Sequence, residues 1–236
     1  DLLNELVKTG KPVVLVLFDG RPLVLVEENQ KVPAILNAWF AGSEAGLAIA
    51  DVLFGDENPS GKLTTTFPRS VGQIPIYYSA KNTGRPLGNK EGKFEKFKSN
   101  YIDERNEPLF PFGYGLSYTN FSYSNLMISS SKMTKNETIK VSVEVTNTGN
   151  FDGKEVVQLY IRDLVGSVTR PLKELKDFKK IALKKGEKQT LTFEITVDKL
   201  KFYNSDLNFV AEPGVFEIFI GTDSTTNNKI SFELIN

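Results

Sequence analysis

From Phe121 to the carboxyl end, apolar residues recur at every second position. Ile139, Val141, Val143 and Val145 alternate with polar neighbours, as do Val157, Leu159 and Ile161, and then Leu191, Phe193 and Ile195. Successive strand side chains point to opposite faces, so this period marks a sheet with one buried and one solvated side. Val215, Ile218 and Ile220 follow it less cleanly. Turn formers separate the runs at Asn147–Asn150, Asp152-Gly153, Lys184–Glu187 and Glu212–Gly214. About seven strands in roughly 115 residues predict a fibronectin type III-like, immunoglobulin-like β-sandwich over 121–236.

The amino-terminal part has a different texture. Leu2, Leu3, Leu6 and Val7 share one helical face, closed by Gly10 and Pro12. Val13–Phe18 is a continuous apolar run, the pattern of a parallel strand covered on both faces. Asp19-Gly20-Arg21-Pro22 is expected to turn the chain into a second strand, Val32–Phe40. Beyond Ser43, the expected N-cap, Ala45, Ala48, Ile49, Val52 and Leu53 recur at helical spacing up to Gly55. A loop, Asp56–Gly61, then leads into an expected short strand, Lys62–Phe67. Residues 1–70 thus read as the C-terminal part of an α/β sandwich domain.

Residues 71–120 form an arm and a joint. Val71–Glu107 is rich in Gly, Asn, Lys, Pro and Tyr, and a loop of that length is functional, interfacial or mobile. Pro108–Thr119 then sets Phe110, Phe112, Tyr114 and Tyr118 among two prolines and two glycines. Fixed φ at proline and free φ at glycine give a defined irregular backbone, and the rings supply area to bury. Such a run suits the meeting of two modules.

Composition removes whole classes of chemistry. Lys+Arg and Asp+Glu both number 29, so no net field recruits nucleic acid or an anionic membrane. Without cysteine or histidine, the chain has no disulfide, no thiolate nucleophile, no Ser-His-Asp triad and no Cys- or His-ligated zinc. The longest apolar run, Val13–Phe18, is far too short to span a bilayer. A start at Asp1 inside a helix, with no leader, reads as a cut through a larger protein.

These segments resemble the C-terminal part of family 3 glycoside hydrolases, the bacterial β-glucosidases and β-xylosidases. The resemblance runs through Gly10–Val16, Gly20–Leu23, Ala38–Phe40, Ala50–Asp56, Asn58–Leu63, Phe67–Pro75, Tyr77-Tyr78, Asn82–Pro86 and Pro108–Thr119, and continues in the sandwich. There it rests on Val145–Gly149, Glu155–Tyr160, Pro171–Leu175 and Pro213-Gly214. It implies a retaining, exo-acting enzyme in which an Asp nucleophile and a second carboxyl lie about 5 Å apart. It also implies that the nucleophile belongs to an N-terminal (β/α)8 barrel and the acid/base to the part of the α/β domain before Asp1. Neither role falls on a residue here, no cofactor or metal is implied, and the isolated chain is expected to be inactive. Periplasmic or extracellular placement in a bacterium is expected, with the cytoplasm as the alternative.

Each candidate residue has a bland reading beside the functional one. Glu44 is preferred as a carboxylate favoured by a helix N-terminus, and Asp51 and Asp56 as surface groups. Asp19 and Arg21 either meet the missing barrel or form a solvated turn. Tyr77, Tyr78, Asn82, Arg85, Tyr101 and Asp103 either border the sugar pocket or pack between domains; relatives often carry His near Ala80, which Ala cannot replace as a hydrogen-bonding group. Phe110, Phe112, Tyr114 and Tyr118 are assigned to the domain interface. Trp39 is expected in the core, and Lys179, Lys180, Lys184, Lys185 and Lys188 along a solvated edge that discourages strand pairing. The competing function is a non-catalytic carbohydrate-binding or structural sandwich; against the carbohydrate-binding reading, 121–236 shows no row of exposed Trp or Tyr at strand spacing.

Overall fold

A computed structural model describes residues 2–86 and 94–236. Asp1 and residues 87–93 of the expected arm lie outside the described residues. Helix α1 (Leu2–Lys8) stops at Gly10, whose φ of 71° is open to glycine. Strands β1 (Val14–Leu17) and β2 (Ala34–Asn37) pair in parallel, with Leu17 opposite Asn37. Parallel neighbours need a crossover, and helix α2 (Val26–Lys31) supplies it. Sequence reasoning missed α2 because Val-Glu-Glu-Asn-Gln-Lys carries one apolar residue and therefore no helical period.

The second strand is also shorter than expected. It stops at Asn37, and Trp39 has a φ of 50°, outside the extended region. Helix α3 (Ala45–Phe54) ends on Gly55 at φ 87°. Its N-cap is Glu44, without a side-chain capping bond, so Ser43 does not hold that position. Nor is Lys62–Phe67 a strand. It makes one bridge, Phe67 to Phe110, and separate hydrogen bonds from Leu63 N to Tyr114 O and from Gly113 N to Leu63 O. Pro68, Pro111 and Gly113 at positive φ break any longer ladder.

The expected double cover of β1 is absent among the described residues. No residue of α1, α2 or α3 is fully buried, and Leu6, Val14, Phe18, Leu47 and Phe54 are exposed.

The sandwich begins with β3 (Phe121–Ile128), β4 (Lys132–Met133) and β5 (Ile139–Asn147), followed by β6 (Gly153–Asp163), β7 (Glu174–Leu183) and β8 (Lys188–Ile195). A short helix α4 (Val197–Leu200), the hairpin β9 (Phe202–Tyr203) and β10 (Phe209–Val210), then β11 (Gly214–Gly221) and β12 (Lys229–Leu234) complete it. One sheet runs β4-β12-β11-β6-β7 and the other β3-β5-β8. Val141, Val143, Val157, Leu159, Ile195 and Ile218 meet between them and are closed to solvent.

Period two weakens where a strand is covered on both faces. On β11, Glu217 and Phe219 are buried behind the inward Ile218 and Ile220, and on β6 Gln158 and Tyr160 are buried opposite Leu159. The cover over β6 is the joint. The lysine-rich stretch follows the expectation of an edge: β7 is terminal in its sheet.

Candidate functional site

The joint is built by rings and buried polar groups. Phe112 stacks on Tyr78 with centroids 4.1 Å apart, and Tyr78 meets Tyr160 edge-on at 6.1 Å. Tyr78 comes from the arm, Phe112 from the aromatic run and Tyr160 from β6, so three segments share one aromatic column. Phe110 stacks on Tyr114 at 5.2 Å and contacts Phe67 edge-on, which in turn meets Trp39. Trp39 is half-buried there as a joint residue. The Tyr118 hydroxyl donates to Val52 O at 2.5 Å, tying the run to α3.

Gly113 is required by its surroundings. Its φ is 82°, and a Cβ there would lie 2.2 Å from Gln158 Oε1. Gln158 reaches back to donate to Gly113 O at 3.1 Å and accepts from the Tyr160 hydroxyl at 2.5 Å. Beside it, Lys62 Nζ donates to Gly115 O at 3.0 Å and to Thr222 Oγ1 at 2.7 Å. Lys62 also lies 3.3 Å from Glu155 Oε2, and Glu155 Oε1 accepts from Tyr123 at 2.7 Å. Burial, followed by the nearby Glu155 charge, pushes the Tyr123 hydroxyl well above its usual range; burial does the same for Tyr160. Sequence reading missed Lys62, Gln158 and Glu155. Their one signal was a polar residue breaking an apolar strand.

The arm residues are not brought into one cluster. Tyr78 belongs to the column, and its oxygen accepts from Leu175 N at 3.3 Å. Tyr101 donates to Gln73 O at 3.4 Å. Asn82 Oδ1 accepts from Gly84 N in a local turn. Tyr77, Arg85 and Asp103 present exposed side chains. The arm's two ends are held by buried Gln73, which donates to Arg105 O at 2.7 Å and accepts from Arg69 N at 2.6 Å. Ala80 contributes its carbonyl, which accepts from Leu172 N.

At the carboxyl ends of β1 and β2, Asn37 Oδ1 accepts from Trp39 N at 3.5 Å, but three other side-chain polar atoms lack partners among the described residues. Both carboxylate oxygens of Asp19 and Nδ2 of Asn37 are closed to solvent without a hydrogen bond. Asp19 follows Leu17 by two residues, and Leu17 is the register partner of Asn37. Burial pushes the Asp19 carboxyl above its ordinary range. Arg21, two residues further on, is exposed, and elsewhere Glu44, Asp51 and Asp56 are exposed too. The described residues hold no cluster of three carboxylates that could bind a metal ion.

Comparison with known proteins places this architecture. The chain is 56% identical over 235 residues to a periplasmic β-glucosidase of Salmonella typhimurium, covering all of this chain and 30% of that protein. It is 46% identical to a β-xylosidase of Formosa agariphila, covering 97% of this chain and 30% of that one. The solved β-glucosidase of Listeria innocua in complex with glucose superposes with a TM-score of 0.93 at 43% identity, over all of this chain and 32% of that one. The chain therefore spans about 30% of the length of these curated relatives. Residues 155–224 match the fibronectin type III-like domain, as expected for the sandwich. Residues 1–118, half of the chain, match the glycosyl hydrolase family 3 C-terminal domain, and the chain belongs to that family.

Proposed function

We propose that this chain is the C-terminal portion of a retaining, exo-acting β-glycosidase that hydrolyses O-glycosidic bonds, a β-glucosidase before a β-xylosidase. Its part is structural: the sandwich is a buttress, the joint clamps it to the α/β part, and Gln73 ties the two ends of the arm together. The observation that carries this reading is an asymmetry of cover. The sandwich encloses its own core, whereas the α/β part leaves Val14, Phe18, Leu47 and Phe54 exposed and Asp19 without a partner. A parallel sheet is stable only with both faces covered, so the rest of the α/β domain and a barrel belong against this side.

Asp19 and Arg21 then face that remainder, and Tyr77, Asn82, Arg85 and Asp103 border the pocket mouth, where β-linked glycosides are the partner. Both catalytic carboxyls belong to the remainder. In keeping with the periplasmic relative, the parent works in the periplasm or outside the cell. The test is turnover of 4-nitrophenyl β-D-glucoside and β-D-xyloside by the purified chain and by its intact parent. Activity in the parent alone is the expected result, and turnover by the chain alone would falsify the placement of both carboxyls outside it.

A further inference from the structure

We propose that the β9–β10 hairpin and the groove beside it form a binding surface for neutral, β-linked oligosaccharide chains. Tyr203 and Phe209 are register partners on this hairpin and are 66% and 53% exposed, with ring centroids 4.9 Å apart and planes tilted by 39°. Burying two such rings would release a large apolar area, yet the fold turns both outward. They are also held rigidly. The loop between them is closed by Asn204 N donating to Asn208 O at 3.1 Å, while Asn204 Oδ1 accepts from Asp206 N and Asn208 N. Buried Phe202, with the Arg170 guanidinium 4.0 Å above its ring, anchors the base. Little ordering entropy remains to be lost on binding.

The groove against these rings measures about 600 Å³, within the size range of ligand sites. Four cations (Arg170, Lys176, Lys199 and Lys201) and two carboxylates (Glu174 and Asp198) line it, and each cation has a carboxylate partner, Lys199 with Asp177 at 2.5 Å. Arg170 pairs with Glu174 at 2.8 Å, Lys176 with Glu174 at 3.6 Å, and Lys201 with Asp198 at 2.6 Å. An anionic ligand would have to displace these carboxylates, whereas a polyol uses the spare N–H donors and oxygen lone pairs on both. β-Linked pyranoses with equatorial hydroxyls offer flat C–H faces to the rings and hydroxyl edges to the walls. The alternation of the long strands gave no sign of this surface, because its rings sit on two strands of two residues each. The inference goes beyond the catalytic reading and does not depend on it.

The test is titration of the 236-residue chain with cellohexaose, xylohexaose and polygalacturonate, followed by NMR. Binding of a neutral hexaose with Kd on the order of 1 mM is expected, with shifts centred on the Tyr203 and Phe209 rings and intermolecular Overhauser contacts from them to sugar protons. Tyr203→Ala and Phe209→Ala should each weaken binding about five- to tenfold, while Tyr203→Phe retains it. The Overhauser contacts are read on the unsubstituted chain, so a variant that loosens the hairpin does not spoil the test. Absence of binding by both hexaoses, shifts centred elsewhere, or preference for polygalacturonate would overturn the proposal. Tyr203→Ala in the intact parent leaves aryl glycoside turnover unchanged, so the two readings fail separately.

Discussion

Lys62 Nζ stands 3.3 Å from Glu155 Oε2 with both side chains almost closed to solvent, so a buried charge pair joins the α/β part to the sandwich. Each ion has further partners: Lys62 donates to Gly115 O and Thr222 Oγ1, and Glu155 accepts from Tyr123. Removing one member leaves the other charge buried and unbalanced, at a cost of about 3–5 kcal/mol. Lys62→Met and Glu155→Leu are each expected to lose that much in denaturant unfolding. The double substitution should lose much less than the sum, because no lone charge remains. Additive losses would show that the pair is not coupled.

Phe112 and Tyr78 stack at 4.1 Å although they belong to different segments. Phe112 is half-buried, so Phe112→Ala should destabilise by about 2–3 kcal/mol, below the range for a fully buried ring. A double-mutant cycle with Tyr78→Ala isolates the stack, and a coupling of about 0.5–1.5 kcal/mol is expected. Phe110→Ala should also lower the melting temperature through its contacts with Tyr114 and Phe67. An unchanged melting temperature in both single variants would refute the clamp.

How far this structure was legible depended on where each residue found its cover. Ile139 to Val145 bury their alternate side chains against the facing sheet, so the sequence period and the burial pattern coincide. On β6 the outer Gln158 and Tyr160 are covered by the joint, a contact 45 residues distant in sequence for Gln158 and Gly113. Local pattern carries no information about such cover. The helix α2 was invisible because it carries a single apolar residue, and the hairpin rings because two-residue strands have no period. Phe112 was legible as an interface residue from composition, but its partner Tyr78 read equally as a sugar contact, since an aromatic in a loop suits both.

Gly113 has a positive φ and also sits against the Gln158 carboxamide. Gly186 has a similar φ of 75° with open space at its Cβ position. Gly186→Ala therefore reports backbone strain alone, about 1 kcal/mol. Gly113→Ala adds displacement of a buried amide bonded to Gly113 O and Tyr160, and roughly 2–4 kcal/mol in total is expected. Equal losses at the two positions in equilibrium unfolding would show that the close approach to Gln158 carries no weight.

Lys173 makes the stability of the sandwich depend on alkaline pH. Its ammonium donates to Ser224 O at 3.0 Å and lies 4.4 Å from the centroid of the Phe219 ring, and burial pushes its pKa down to about 8 against the pull of Asp223 and Glu217. The unfolded chain holds this proton up to the ordinary value of 10.5. Between those limits the unfolded state binds more protons, so this group makes stability rise with pH from about 8. Above about pH 10, Tyr123 and Tyr160 reverse the trend, because folding keeps them protonated while the unfolded chain releases them. Melting temperatures from pH 7.5 to 9.5 should climb in the unsubstituted chain and flatten in Lys173→Met. A climb that persists in the variant would assign it to another group.

Asp19 offers a way to tell an interface residue from a turn former. Its carboxylate oxygens are closed to solvent without a partner among the described residues, and burial raises its pKa. A buried charge lacking a partner is unfavourable, so Asp19→Asn should raise the melting temperature of the isolated chain at pH 7. If the remainder of the parent supplies a cation or a backbone N–H to this carboxylate, the same substitution should lower the melting temperature of the intact enzyme. The change in sign between the two proteins is the expected outcome, read by calorimetry on both. Stabilisation in both would leave Asp19 as a turn residue with no partner beyond the chain.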